Sequence, residues 1–129
     1  MAYTTIDDPS AHFQVATWTG DGEATQAIVF DGNSDLKPDL FWAKGRNVAY
    51  NHIVLDTSRT FRTQRIIPNS TDAEDSHNYF MTSNDSDGFT TDDDVNTNQD
   101  AKTYVAWCWK ANGGTTSSNT TGDINTTVQ

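Results

Sequence analysis

The sequence predicts an all-β fold, an antiparallel β-sandwich of the jelly-roll or concanavalin-like kind. Of the 18 acidic residues 16 are Asp, Thr, Asn and Ser are abundant, and the helix formers Glu, Leu and Lys are scarce. Asp, Asn and Ser favour turns, and Thr favours strands. Short apolar runs separated by turn signals recur about every 8–12 residues, as in sandwiches and barrels. Residues 103–109 are apolar on both faces, which predicts a central strand between two covered layers.

The first half of the chain predicts four strands. Residues 12–18 alternate loosely, with Phe13 and Val15 on one face, and stop at a Thr-Gly-Asp-Gly turn. The apolar run 26–30 stops at the loop signal Asp-Gly-Asn-Ser-Asp. Residues 40–44 follow a proline, and a Gly-Arg-Asn turn leads from them into residues 51–56.

The second half predicts four more strands. Residues 60–67 are a weaker candidate and stop at a Pro-Asn-Ser turn. Residues 79–81 and 89–91 are short candidates on either side of an Asp-Ser-Asp-Gly turn. In residues 103–109, side chains of even-numbered positions share one face and those of odd-numbered positions share the other.

The chain divides into three parts by composition. Residues 1–10 are predicted as an extended N-terminal arm, and residues 11–114 as the sandwich domain. Asp7-Asp8-Pro9-Ser10 offers an alternative for the arm, because acids, Pro and Ser commonly start a helical turn. Residues 115–129 are almost all Thr, Ser, Asn, Gly and Asp, which predicts a flexible linker or tail.

Charge and motif content exclude several functional classes. The net charge of −10 disfavours nucleic acid and anionic membrane as partners, because both bind positive charge. No apolar run approaches the roughly 20 residues of a membrane span, and the start lacks a signal-peptide pattern. The sequence has no nucleophile elbow, phosphate loop or dinucleotide fingerprint, so we expect no enzyme and no organic cofactor. Cys108 is the single cysteine, expected to be a buried small hydrophobe.

Residues 66–101 carry nine acids and no Lys or Arg. We expect a solvated acidic face here, paired in part with the basic residues Arg59, Arg62 and Arg65. Docking against a basic protein surface is one alternative, and a Ca²⁺ site in the loops is another, although the fit to an EF-hand is poor. The candidate calcium ligands are Asp85, Asp87, Asp92, Asp93 and Asp94.

The histidines and tryptophans offer further candidates. His12, His52 and His77 are expected to be ordinary surface or edge residues, with a metal site or a pH-sensitive contact as the alternative. Trp18, Trp42 or a Trp of residues 103–109 would serve as the stacking platform of a carbohydrate-binding module. Core packing is the competing explanation for these tryptophans.

Four segments resemble modules of structural proteins of marine bacteriophages, of the tail-fibre or appendage type. They are YTTIDDPS at residues 3–10, DGNSDLKPD at 31–39, DSDGF at 85–89 and YVAWCWKANGG at 104–114. The first and last are the distinctive ones, and the resemblance runs in order over most of residues 2–129. Similar proteins usually continue past the Thr/Ser-rich linker, so both a complete small protein and the N-terminal piece of a longer one stay open.

The resemblance implies a virion component with a sandwich fold and carries no catalytic residue. We therefore expect a structural module that anchors an appendage through contacts with other virion proteins, as a homo-oligomer in which a trimer is favoured by analogy with fibres. The alternatives are a capsid decoration protein or a lectin-like module that binds a host-surface glycan. The candidate binding residues are Tyr3, Ile6, Asp7, Asp8 and Pro9 of the arm, together with Trp18 and Trp42.

Overall fold

The protein is an all-β sandwich of two antiparallel sheets, as the sequence predicts. The computed structural model describes residues 7–59, 64–76, 80–111, 117–119 and 126–128. Within these residues no helix is long and apolar enough to cross a membrane.

Eleven strands and one short helix are formed by the described residues. The strands are β1 (Phe13–Thr19), β2 (Gln26–Val29), β3 (Leu40–Gly45), β4 (Ile53–Asp56), β5 (Gln64–Arg65), β6 (Asp75–Ser76), β7 (Met81–Asp85), β8 (Gly88–Thr91), β9 (Thr103–Trp109), β10 (Ser117–Asn119) and β11 (Thr126–Val128). The helix α1 is Val95–Asn98, and a 3₁₀ turn covers Pro9–Ala11.

One sheet has the strand order β1-β9-β3-β4 and the other has the order β2-β8-β7. An isolated bridge between Val54 and Ile66 continues the first sheet beyond β4. Two further pairs, β5-β6 and β10-β11, are antiparallel ladders of their own. The second of these pairs lies within the segment predicted as a linker or tail.

The core lies between the two sheets and is centred on Phe89 of β8, which is fully buried. Its ring meets Phe41 edge-on at a centroid distance of 4.8 Å, Trp18 at 5.4 Å and Phe30 at 6.0 Å. Edge-to-face aromatic pairs add to the stabilisation from buried area. A few large rings therefore form the core of a chain in which only 34 % of residues are hydrophobic.

β9 is central, as predicted, but it is covered on one face only. Tyr104, Ala106 and Cys108 are fully buried, whereas the odd-numbered residues of β9 are only partly buried. The prediction of two covered layers is wrong, because an apolar side chain on the second face can also be shielded by neighbours on the same sheet surface. This outer face carries Trp107 and Trp109.

Two short helical turns differ from the main sequence predictions. Pro9–Ala11 forms a 3₁₀ turn capped by Asp8, so the alternative prediction of a helical turn is confirmed. The single turn α1 was not predicted; Asp94 caps it by accepting a hydrogen bond from Asn96 N at 2.7 Å. The part of the predicted arm before residue 7, half of the strand predicted over 60–67 and part of the strand at 79–81 lie outside the described residues.

Gly88 starts β8 with a φ of +119° and follows the predicted Asp-Ser-Asp-Gly turn. A Cβ atom at this position would lie 2.1 Å from the carbonyl oxygen of Ile28. Only glycine adopts this backbone conformation readily. The close approach of β8 to β2 therefore requires glycine at residue 88.

Candidate binding surface

The outer face of the four-stranded sheet is an apolar surface, which we call the aromatic face. Strand register places Trp107 between Val15 on β1 and Trp42 on β3. In the next row, Trp109 lies between Phe13 and Leu40. The aromatic face therefore extends without interruption from β1 to β3.

The rings of the aromatic face remain accessible to solvent. Phe13 is 39 % exposed and Trp42 is 36 % exposed. The centroids of Phe13 and Trp109 are 5.0 Å apart, and those of Trp42 and Trp107 are 6.3 Å apart at 71°. Contiguous apolar patches of this kind on a protein surface commonly mark interaction sites.

A shallow cleft of about 280 Å³ opens in the aromatic face. It is lined by Trp42, His52, Trp107 and Trp109. The indole N–H groups of Trp107 and Trp109 have no hydrogen-bond partner among the described residues. The cleft therefore offers mainly apolar ring surfaces.

His52 lies at the border of this cleft and fixes the ring of Trp42. The Trp42 indole N–H donates to His52 Nδ1 at 2.9 Å, which leaves the other imidazole nitrogen, Nε2, to carry the proton of the neutral ring. Burial, together with the positive charge of Lys44, lowers the pKa of His52 below its usual value of 6.5. The ring is therefore neutral at pH 7 and accepts the indole hydrogen bond.

Trp18 does not belong to the aromatic face. It is 8 % exposed, stacks on Tyr104 at a centroid distance of 5.4 Å, and donates its indole N–H to Thr97 O at 2.9 Å. Its position in β1 is even-numbered, which directs the side chain into the core. The structure therefore corrects the prediction of a stacking platform at Trp18, while Trp42 and the two tryptophans of β9 lie at the surface.

The five carboxylates predicted as calcium ligands are not gathered into one site. No group of three His, Cys, Asp or Glu side chains lies close enough to hold a metal ion in the part of the chain that the structure describes. Asp85 accepts hydrogen bonds from Ser83 and Thr90, and Asp87 accepts one from Leu36 N. The remaining three are Asp92, Asp93 and Asp94, which lie in the segment that leads into α1.

Comparison with known proteins gives a family for the chain. Residues 8–129 match the family described as "Domain of unknown function (DUF7483)". The chain belongs to this family. No curated protein and no solved structure is significantly similar to it. The matched region contains the whole of both sheets and all the rings of the aromatic face.

In this family member, the described part of the predicted arm is fastened to the sandwich. Asp8 accepts hydrogen bonds from Ser10 Oγ at 2.5 Å and from Ser34 Oγ at 2.6 Å. These bonds lower the pKa of Asp8. The buried Gln14 side chain adds hydrogen bonds to Ser10 O, Ser34 O and Gly32 N. Asp8 is therefore part of the folded body.

The other arm residues predicted to bind are placed as follows. Asp7 and Pro9 are exposed, and Pro9 starts the 3₁₀ turn. Tyr3 and Ile6 lie outside the described residues.

Within the described residues, the acidic stretch pairs with Arg59, one of the predicted arginines. Arg59 forms ion pairs with Glu74 of this stretch and with Asp56. Arg65 places its guanidinium 4.8 Å from the centroid of the Phe80 ring, while Arg62 lies outside the described residues. These contacts fix the loop that follows β4 against the start of the acidic stretch.

Proposed function

We propose that the chain is a non-enzymatic structural module of a bacteriophage virion, part of a tail fibre or similar appendage, and that it attaches through protein–protein contacts. The observation that carries this proposal is the aromatic face. Trp and Phe are enriched in protein interfaces, and Trp is among the residue types that most often dominate binding energy. The resemblance of residues 3–10 and 104–114 to phage structural modules supports the virion assignment.

Charge distribution supports the aromatic face as the attachment surface. The acidic stretch supplies β7, β8 and α1, which belong to the other sheet or to the connection after it. The positive charge of Lys44 acts on His52 at the border of the cleft, and its ammonium group donates to the carbonyl oxygens of Gly45 and Val48. An apolar partner surface therefore meets rings on this face and not the dense negative charge of residues 66–101.

The chemistry of the cleft supports binding in preference to catalysis. Among the described residues that line the cleft, His52 is the one titratable group, and its Nδ1 already accepts the Trp42 indole N–H. A general base needs a free nitrogen within reach of a nucleophile or substrate proton. In this cleft, His52 Nδ1 instead holds the Trp42 ring in place by accepting its hydrogen bond.

A lectin-like role is the second candidate, and the three tryptophans of the cleft favour it. Sugar rings stack on exposed aromatic faces, and the cleft is lined mainly by such faces. Under this alternative the module binds a neutral glycan on the host surface. A capsid decoration protein would use the same face against the shell.

The test is gold labelling of intact virions of the encoding phage with an antibody against the domain. We expect label on the tail or its fibres. Label on the head would assign the chain to capsid decoration, and virions without label, shown by mass spectrometry to lack the chain, would refute the proposal.

A phage carrying Trp107→Ser and Trp109→Ser tests the role of the aromatic face. We expect the variant protein to fold and to be lost from purified particles. Thr103→Ser, on the same face of β9, is the matched control and should be incorporated normally. Normal incorporation of the double variant combined with loss of glycan binding would favour the lectin-like alternative.

A further inference from the structure

β1 is an edge strand of the four-stranded sheet, and the bonds at its two ends show which of its backbone groups face β9. Lys110 N donates to His12 O at 2.9 Å, and Gly20 N donates to Lys102 O at 2.8 Å. Both contacts join even-numbered residues in the register of the β1-β9 ladder. Because hydrogen-bonded and non-hydrogen-bonded pairs alternate in an antiparallel ladder, the even-numbered residues of β1 bond to β9.

The odd-numbered residues of β1 therefore direct their N–H and C=O groups away from the sheet. These residues are Phe13, Val15, Thr17 and Thr19. The Thr19 carbonyl accepts a hydrogen bond from Gln26 Nε2 at 2.9 Å. The backbone groups of the other three have no partner among the described residues, so the free edge presents three successive sets of unpaired donors and acceptors.

In the part of the chain that the structure describes, this edge lacks the features that usually prevent strand addition. Natural proteins protect edges with charged residues, proline, bulges or very short strands. The sequence of β1, FQVATWT, has no charge and no proline. By contrast, β4 is bridged to Ile66, β7 has a register shift between Met81 and Ser83, and β2 has four residues. Among the described strands of the two sheets, β1 is the long unprotected edge.

As far as the described residues show, open space lies beside this edge. A groove of about 160 Å³ runs between β1 and the edge strand β2 of the other sheet. The groove is lined by Val15, Ala16, Thr17, Ile28, Val29, Phe30 and Asp31. An incoming strand can therefore approach the unpaired groups of β1.

We propose that β1 pairs antiparallel with β1 of a second copy of this chain about a two-fold axis, which joins two four-stranded sheets into one sheet of eight strands. A register centred on Val15 places Val15 opposite its own counterpart and Phe13 opposite Thr17. Cross-strand pairs of β-branched and aromatic residues are favourable, whereas like charges directly opposite are destabilising. The uncharged β1 is therefore complementary to itself, and the inference stands independently of the proposed function.

The net charge of −10 acts against this association, but only weakly at the edge. Most of that charge belongs to residues 66–101, and at physiological ionic strength the screening length is about 8 Å. The ladder is short, so its area is at the small end for specific interfaces. We expect a dissociation constant of roughly 10 μM to 1 mM, in the range of weak complexes.

Sedimentation equilibrium of the full chain over this concentration range is the first test. The mass should rise from 14.3 kDa towards twice that value. Val15→Pro removes an outward N–H and no bond to β9, and we expect it to raise the dissociation constant at least about tenfold. Val15→Thr keeps both the N–H and the β-branch and should associate like the parent chain.

Amide hydrogen exchange is the second test and needs no variant. The amides of Phe13, Val15 and Thr17 should exchange more slowly as the protein concentration rises, while those of even-numbered residues in β1 should not change. A monomer at every concentration, a trimer, or a dimer whose three outward amides exchange at a constant rate would overturn the proposal. A dimer abolished by Trp107→Ser but not by Val15→Pro would do the same, since it would form through the aromatic face.

Discussion

Replacing one tryptophan on each side of the four-stranded sheet by phenylalanine tests whether that sheet is covered on one face only. Trp18→Phe removes the indole N–H that donates to Thr97 O at 2.9 Å. Thr97 is fully buried, so its carbonyl loses a partner at a cost of about 1–3 kcal/mol. The smaller ring also leaves a small void, which adds about 1 kcal/mol. We therefore expect Trp18→Phe to lower the free energy of unfolding by about 2–4 kcal/mol.

Trp107→Phe is the matched variant on the aromatic face. Trp107 is only partly buried, and its indole N–H has no hydrogen-bond partner among the described residues. Surface substitutions of this kind usually change stability by less than about 1 kcal/mol. We expect Trp107→Phe to leave the free energy of unfolding close to that of the parent chain.

Urea unfolding followed by far-ultraviolet circular dichroism measures both effects. With a slope of about 2 kcal/mol per molar urea, Trp18→Phe should lower the midpoint by roughly 1–2 M, and Trp107→Phe by less than about 0.5 M. Equal losses for the two variants, or a larger loss for Trp107→Phe, would show that the outer face is packed like a core and would refute the aromatic face as an open surface.

Three further predictions follow from the geometry. Gly88→Ala should lower the free energy of unfolding by more than about 2 kcal/mol, because alanine at a φ of +119° is strained and its Cβ meets Ile28 O; an unchanged thermal midpoint would contradict this. The pKa of folded His52 lies below 6.5, so the stability that it contributes is present above pH 6.5 and is lost as the pH falls through the lower, folded value. The Trp42 indole proton resonance should then shift in an NMR titration, and a midpoint at or above 6.5 would refute the assignment. Millimolar Ca²⁺ should leave the thermal midpoint of unfolding unchanged, since the predicted carboxylate ligands do not converge. A binding heat in a calorimetric titration with Ca²⁺ would contradict this prediction.

Local pattern predicted most strands of the two sheets, but it predicted neither the short pairs β5-β6 and β10-β11 in full nor what covers the sheets. The alternation of residues 103–109 correctly predicted a central strand. It could not show that Trp107 and Trp109 lie at a surface, because two apolar faces are compatible either with a second layer or with shielding by neighbouring strands. That distinction depends on the register of β9 against β1 and β3, which joins residues far apart in the sequence.

The candidate site was predicted in part for the same reason. Trp18 and Trp42 were both candidate stacking platforms; Trp42 lies at the surface, whereas Trp18 is in the core because it occupies an even-numbered position of β1. Its neighbours Phe13 and Val15 were correctly assigned to a common face, and that alternation was the signal that could have placed Trp18 on the opposite side. The contact between His52 and Trp42 needed the β3-β4 pairing and left no pattern in the sequence.

The helix α1 was missed because one turn is too short to show helical periodicity. Its position is fixed by tertiary contacts: Tyr104 donates its hydroxyl hydrogen to Val95 O at 2.7 Å, and Thr97 donates to Phe80 O at 3.1 Å. Residues that favour turns, such as the Asp residues before it, are compatible with either a loop or a capped helix. The hydrogen bonds made by the buried Tyr104 and Thr97 side chains favour the capped helix over a loop.

The burial of Cys108 makes this protein suitable for site-specific thiol labelling. Its side chain is fully buried in β9, and burial raises the pKa of the thiol far above neutral pH, so little reactive thiolate forms. Because Cys108 is the single cysteine, a cysteine introduced at an exposed position such as Thr17 would be the one thiol that a maleimide reaches. Dyes or spin probes can thus be attached at chosen positions without first removing a native sulfur.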